Sequence, residues 1–236
     1  MPLFLFFSSV YANDSSLPCT DNYEAASSTA QRIENEWPLR SSGDEITLYV
    51  QKLGVHLAQL KGYGDSFAWR FSVVRNLTPN AFSIGNGYVF ITEGAINFAE
   101  SESELAAILA HELGHELAGH FCKNPQTQRS FSTAFDDLFI PKKTEQRRVD
   151  IGSLTQVIDV KKELQADSIA LSILKAGSYD ISSMLKLAKR LPSDSRTHLI
   201  DAFRIQALGK IIAKLPVRPI QDSAEFTEIK RILSTQ

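Results

Sequence analysis

Apolar residues recur along the chain with two different periods, and the changes of period divide it into elements. Residues 21–40 and 44–62 carry a three- and four-residue spacing, and Ile46, Val50, Leu53, Leu57 and Leu60 fall on one face of the second helix. Residues 69–74 instead alternate apolar and polar and are rich in β-formers, which predicts a strand. Two further short strands are predicted over 80–84 and 88–92, around the tight turn Gly85-Asn86-Gly87. The helical period then returns. Ser101 followed by Glu104 is a capping-box-like start with acid at the positive end of the helix dipole, and the apolar run 105–110 extends it. Helix is predicted again from about 150 to 176, where Ala176-Gly177 ends it, and in segments near 181–191, 196–215 and 222–234. Residues 123–148 are polar, contain Pro125 and Pro141, and read as a mobile excursion or lid. The pattern predicts an α+β, mainly helical domain over 13–236 with a small antiparallel sheet.

The ends and composition narrow the class. Residues 1–12 form a short apolar block ending in Val10-Tyr11-Ala12, the pattern of a signal-peptide core and cleavage site, with a buried N-terminal strand as the alternative. Export to a periplasmic or extracellular space is the expectation. In that setting Cys19 and Cys122 either pair, closing a loop worth about 4.7 kcal/mol in the chain-entropy model, or remain two thiols. Across 236 residues, 25 Lys+Arg oppose 27 Asp+Glu, so the basic footprint of a nucleic-acid binder is missing. Two cysteines are too few for a disulfide scaffold or a cysteine-rich zinc module. No apolar run reaches the roughly 18–20 residues that cross a bilayer.

Of five histidines, three lie within ten residues of one another. His111-Glu112-Leu113-Gly114-His115 is an HExxH motif; a four-residue step turns a helix by about 400°, so both imidazoles emerge on one face and can hold one zinc ion. Glu112, beside the first histidine, is placed to take a proton from a metal-activated water, the general-base role in peptide hydrolysis. A third ligand is required, and the later helix offers Glu163, with Asp167 one turn on to accept a ring N–H from a ligand histidine. A solvated acidic face is the competing reading of that pair. His120, five residues past His115, is predicted about 140° around the helix, away from the metal, and structural. His56 reads as an ordinary helix residue.

Five blocks in order also give a family resemblance. They are Asn80-Ala81-Phe82 with Gly87-Tyr88-Val89-Phe90-Ile91-Thr92, the stretch Glu102 through His120, Glu163-Leu164-Gln165-Ala166-Asp167, Ala176-Gly177-Ser178-Tyr179-Asp180, and Thr197-His198 with Arg204-Ile205 and Leu208. Over about 80–210 the chain resembles the zinc metallopeptidase family of the CAAX prenyl proteases, HtpX and BepA-like periplasmic proteases. The resemblance implies a zincin-like fold, one zinc held by His111, His115 and Glu163, Glu112 as general base, and Asp167 supporting a ligand. It also implies that His198 and Arg204 lie close to the metal. His198 could donate to the oxyanion, an effect worth about 3 kcal/mol by analogy with other such donors, or fill the metal's open position. Arg204 could bridge carboxylates or bind a substrate carbonyl, with a surface salt bridge as the alternative. Two departures stand out: Leu199 replaces the usual proline after the histidine, and Gly85-Asn86 replaces a Pro-Gly turn.

The expected function is zinc-dependent endopeptidase action on peptide or unfolded-protein substrates of the cell envelope. The alternative is a zinc-containing binding or chaperone-like module for outer-membrane proteins, against which the intact Glu112 argues. The strand 88–92 is expected to offer an exposed edge for an extended peptide.

Overall fold

Helices and strands follow one another much as the hydrophobic spacing predicts in the computed structural model, which describes residues 23–121, 160–191, 202–215 and 221–235. The helices are α1 (Tyr23–Glu36), α2 (Glu45–Gln59), α3 (Glu93–Phe98), α4 (Glu102–Leu117), α5 (Val160–Ala176), α6 (Ser182–Arg190), α7 (Ala202–Ile212) and α8 (Ala224–Ser234); the strands are β1 (Arg70–Val74), β2 (Ala81–Ser83) and β3 (Tyr88–Thr92). Helix α1 stops short of residue 40 because Pro38 drives Trp37 out of the helical region, and Leu39 forms a bridge to Val74 instead. Residues 1–12, both cysteines, the segment 123–148 and His198 lie outside the described residues.

The strand order is β1-β3-β2, with β3 parallel to β1 and antiparallel to β2. The sheet expected to be antiparallel is therefore mixed. The strand expected at an exposed edge, β3, is central, and β2 takes the outer position against α4. The physical reason is in β3 itself: Val89, Phe90 and Ile91 are all buried, so the strand is apolar on both faces and belongs in the interior. Phe71, Val73, Val89 and Ile91 join α2 and α4 in the main core, while Val74, Phe82 and Phe90 pack with Ala30 and Ile33 of α1 on the other side. The hairpin closes through Gly85, Asn86 and Gly87 at φ 94, 56 and 78°, three successive left-handed residues.

The helix ends are fixed by side chains. Asp44 accepts from the Ile46 N–H at the start of α2, and Ser101 accepts from the Glu104 N–H at the start of α4. Glu104 makes the return bond to the Glu100 N–H at 2.8 Å, and Arg190 clamps its carboxylate at 2.7 and 2.6 Å. Ahead of α6, Asp180 accepts from the Ser182 N–H at 2.9 Å and from Lys186 at 3.0 Å.

Burial opposes ionisation of Asp180, but the Ser182 and Lys186 hydrogen bonds outweigh it and hold its carboxyl below the usual range. A depressed folded-state pKa contributes stability above the unfolded value, about 3.9, and loses it as pH falls through the folded one. Asp180→Ala is expected to lower unfolding free energy at pH 7 by about 1 kcal/mol in urea titrations. The gap between variant and wild type should narrow as the pH falls below that range.

Candidate metal centre

Helix α4 is buried on nearly every side from Ser103 to Glu116, so it runs through the core rather than along its surface. Helix α5 approaches it at Gly114, where an added Cβ would lie 2.5 Å from the Ala166 carbonyl oxygen and 2.9 Å from the Ala166 Cα. With no side chain between them, the two backbones touch. Gly114 is flanked by His111 and His115, and Ala166 by Glu163 and Asp167. The contact therefore sets all four polar side chains face to face.

His111 Nε2 and His115 Nε2 are 3.0 Å apart, and Glu163 lies 3.4 Å from the first and 3.3 Å from the second. These three residues form a buried group able to hold a metal ion. The spacing suits tetrahedral ligation at bonds of about 2.0–2.1 Å, which separates ligand atoms by about 3.3–3.4 Å. The neighbours also fix the tautomers. His111 Nδ1 lies 2.9 Å from Asp167 Oδ1, which accepts its proton. His115 Nδ1 lies 2.9 Å from His120 Nδ1, and His120 Nε2 lies 3.3 Å from Gln165 Oε1. Burial lowers the pKa of His120, which favours its neutral form, and a proton on Nε2 facing Gln165 Oε1 leaves Nδ1 able to accept from His115. Both Nε2 lone pairs then converge on one point with a carboxylate, a donor set that suits a cation.

Arg204, on α7, closes the group from behind. It donates to Glu163 at 2.7 Å and to both oxygens of Asp167 at 2.7 Å. Burial opposes the Asp167 charge, but hydrogen bonds from Arg204 and His111 prevail and hold its carboxyl at about 2. Burial and the Arg204 charge would lower the pKa of His111; its hydrogen bonds to Asp167 and Glu163 raise it overall.

Glu112 meets the sheet at β2. Ser83 Oγ on β2 lies 3.2 Å from its Oε2. A cavity opens beside His111 and Glu112, walled largely by apolar side chains that include Ala107, Ile108, Met184 and Leu187. One turn past Glu112, buried Glu116 accepts from the Gly85 N–H at 2.7 Å and the Gly87 N–H at 3.2 Å. Its burial outweighs those bonds and pushes its carboxyl up to about 8.

His111, Glu112, His115, Glu163, Asp167 and Arg204 are thus brought together. His56 is exposed on α2. The expectation that His120 faces away from the metal is corrected. It assumed a continuous helix, whereas α4 ends at Leu117 and Gly119, at φ 66°, turns the chain back so that the His120 ring meets His115. Gly119 was the available signal, as a glycine just past a helix end. Ser83 and Glu116 were not anticipated, because their partners come from another element.

Two packed helices that carry the HExxH and ExxxD segments around one ligand group, beside a small sheet, are the arrangement of a metallopeptidase. The chain belongs to peptidase family M48, whose model matches residues 45–212. It is 30% identical over 197 residues to the mitochondrial metalloendopeptidase OMA1 of Schizosaccharomyces pombe, covering 78% of this chain and 55% of that protein. It is 22% identical over 168 residues to the beta-barrel assembly-enhancing protease of Escherichia coli K12, covering 64% of this chain and 34% of that one. The chain therefore spans about half and a third of these two relatives. Among the described residues no helix is long and apolar enough to cross a membrane.

The Gly114 contact can be tested directly. Gly114→Ala puts a methyl into the Ala166 backbone and is expected to cost about 1–3 kcal/mol in denaturant unfolding. Separation of α4 from α5 should also weaken metal binding, measured by titration against a zinc indicator.

Proposed function

We propose that the protein is a zinc endopeptidase, with His111, His115 and Glu163 holding the ion and Glu112 acting as general base. The observation that carries this reading is that buried Glu112 lines one cavity together with His111, a member of the three-residue ligand group. Zinc, when bound, supplies a Lewis acid that lowers the pKa of water into the neutral range. Glu112 takes a proton from the attacking water as its oxygen bonds to the peptide carbonyl carbon, then delivers that proton to the leaving amine as the C–N bond breaks. Asp167 keeps the His111 proton on Nδ1, and His120 does the same for His115. Arg204 holds Glu163 and Asp167 in line and balances their charge. His198 is assigned a hydrogen bond to the developing oxyanion, on the family resemblance alone.

The cavity walls favour an apolar side chain next to the cleaved bond. Unfolded or misassembled proteins expose such residues, which supports a role in protein quality control. The cell envelope is the proposed setting; what supports it is the signal-like pattern of residues 1–12 together with a relative named for β-barrel assembly.

Glu112→Gln should retain zinc and lower casein hydrolysis by about 10²–10⁴-fold, the usual contribution of general acid–base catalysis. Hydrolysis at the wild-type rate would exclude Glu112 as the base. Fluorogenic peptides bearing Leu or Phe beside the cleaved bond should be turned over at least about tenfold faster than those bearing Asp; equal rates would remove the cavity from specificity.

A further inference from the structure

We propose that Ser83 and Glu116 are positioning residues that latch the β2–β3 hairpin to α4 and so hold the Glu112 carboxylate in register; this rests on the reading of Glu112 as general base. Three alternate residues of the hairpin, 83, 85 and 87, meet two residues of α4 one helical turn apart. The Ser83 hydroxyl donates toward Glu112 Oε2 at 3.2 Å, with the Glu112 carbonyl oxygen at 3.4 Å. One turn further, the two oxygens of Glu116 take the Gly85 and Gly87 N–H groups at 2.7 and 3.2 Å. Ser83, Glu112 and Glu116 are each 2% exposed, and both glycines are buried.

The match between turn and carboxylate is specific. Three successive left-handed residues form a concave turn whose N–H groups at 85 and 87 face the same Glu116 carboxyl group. Left without acceptors, those buried N–H groups would each cost a desolvation penalty, and an isolated buried carboxylate would cost more. Joined, the two amides and the Glu116 carboxyl oxygens satisfy one another out of contact with water. Proline at position 85 could make no such bond, since it lacks the N–H and cannot adopt a φ of 94°. The Gly85-Asn86 departure and Glu116 thus belong to one device. Glutamate has several rotatable bonds, so a general base needs restraint. Ser83 supplies it on one carboxylate oxygen, and Glu116 fixes the hairpin from which Ser83 projects. Small displacements of a reacting group can cost orders of magnitude in rate.

The test is steady-state kinetics on a fluorogenic peptide, with zinc content and amide hydrogen exchange measured on the same full-chain variants. Ser83→Ala is expected to lower kcat about tenfold with KM and zinc content unchanged, and Ser83→Thr, which keeps the hydroxyl, to restore most of it. Glu116→Gln keeps one acceptor and should lower kcat less than Glu116→Ala, with faster exchange at the 85 and 87 amides in both. Unchanged kcat in Ser83→Ala and Glu116→Gln, in a wild type that hydrolyses and depends on Glu112, would overturn the latch while leaving the peptidase reading intact. A loss of kcat that tracks loss of zinc would also overturn it, because the effect would then run through His115. Should Glu116→Ala not fold, Ser83→Ala and Glu116→Gln decide. If the wild type proves inactive, the peptidase reading fails, and exchange at 85 and 87 in Glu116→Gln still decides whether the latch exists.

Discussion

Backbone contact between α4 and α5 at Gly114 and Ala166 is the constraint on which the rest of the site depends. Helices with side chains between them pack at about 8–10 Å, and a side chain at position 114 would collide with the Ala166 backbone. Only at close approach can residues on both sides of the contact, His111 and His115 on one helix and Glu163 and Asp167 on the other, reach a common point. The same contact takes several charged groups out of water. A buried carboxylate without partners would be neutralised or would unfold the site, so Arg204 between Glu163 and Asp167 is part of the construction. Such a network defines one arrangement more than it adds stability.

Helix α4 repeats this logic along its length. It is buried on nearly all sides and still carries Glu104, Glu112 and Glu116, each answered by a different element. Arg190 of α6 holds Glu104, Ser83 of β2 meets Glu112, and the hairpin amides take Glu116. The polar residues of one helix thereby fix where the sheet, α5 and α6 stand around it. His111 and His115 are oriented as part of that arrangement rather than by the helix alone.

Much of this was legible in the amino-acid order, because it depends on local spacing. The i, i+4 histidines and the i, i+4 acids declare their faces from helical period, and the apolar stripe of α2 declares its buried side. What could not be read depends on chain reversal or on partners from elsewhere. His120 was misplaced because Gly119 reverses the chain before the helix can carry it round. Strand β3 was placed at an edge although Val89, Phe90 and Ile91 are apolar on both faces, a pattern that fits an interior strand. Nothing in the local pattern marks Glu116, because only the folded hairpin supplies the amides that it meets. Membership in peptidase family M48 agrees with the ordered motifs, while the relatives extend well beyond the length shared with this chain.

The central claim is that the α4–α5 contact builds one metal site from His111, His115 and Glu163. Its most direct test is the zinc content of purified protein by elemental analysis after dialysis, for wild type and Glu163→Ala side by side. One zinc per wild-type chain and a large loss of zinc in a folded Glu163→Ala variant is the expected result. Full zinc occupancy without Glu163, or a wild-type chain that holds none when zinc is supplied, would contradict it.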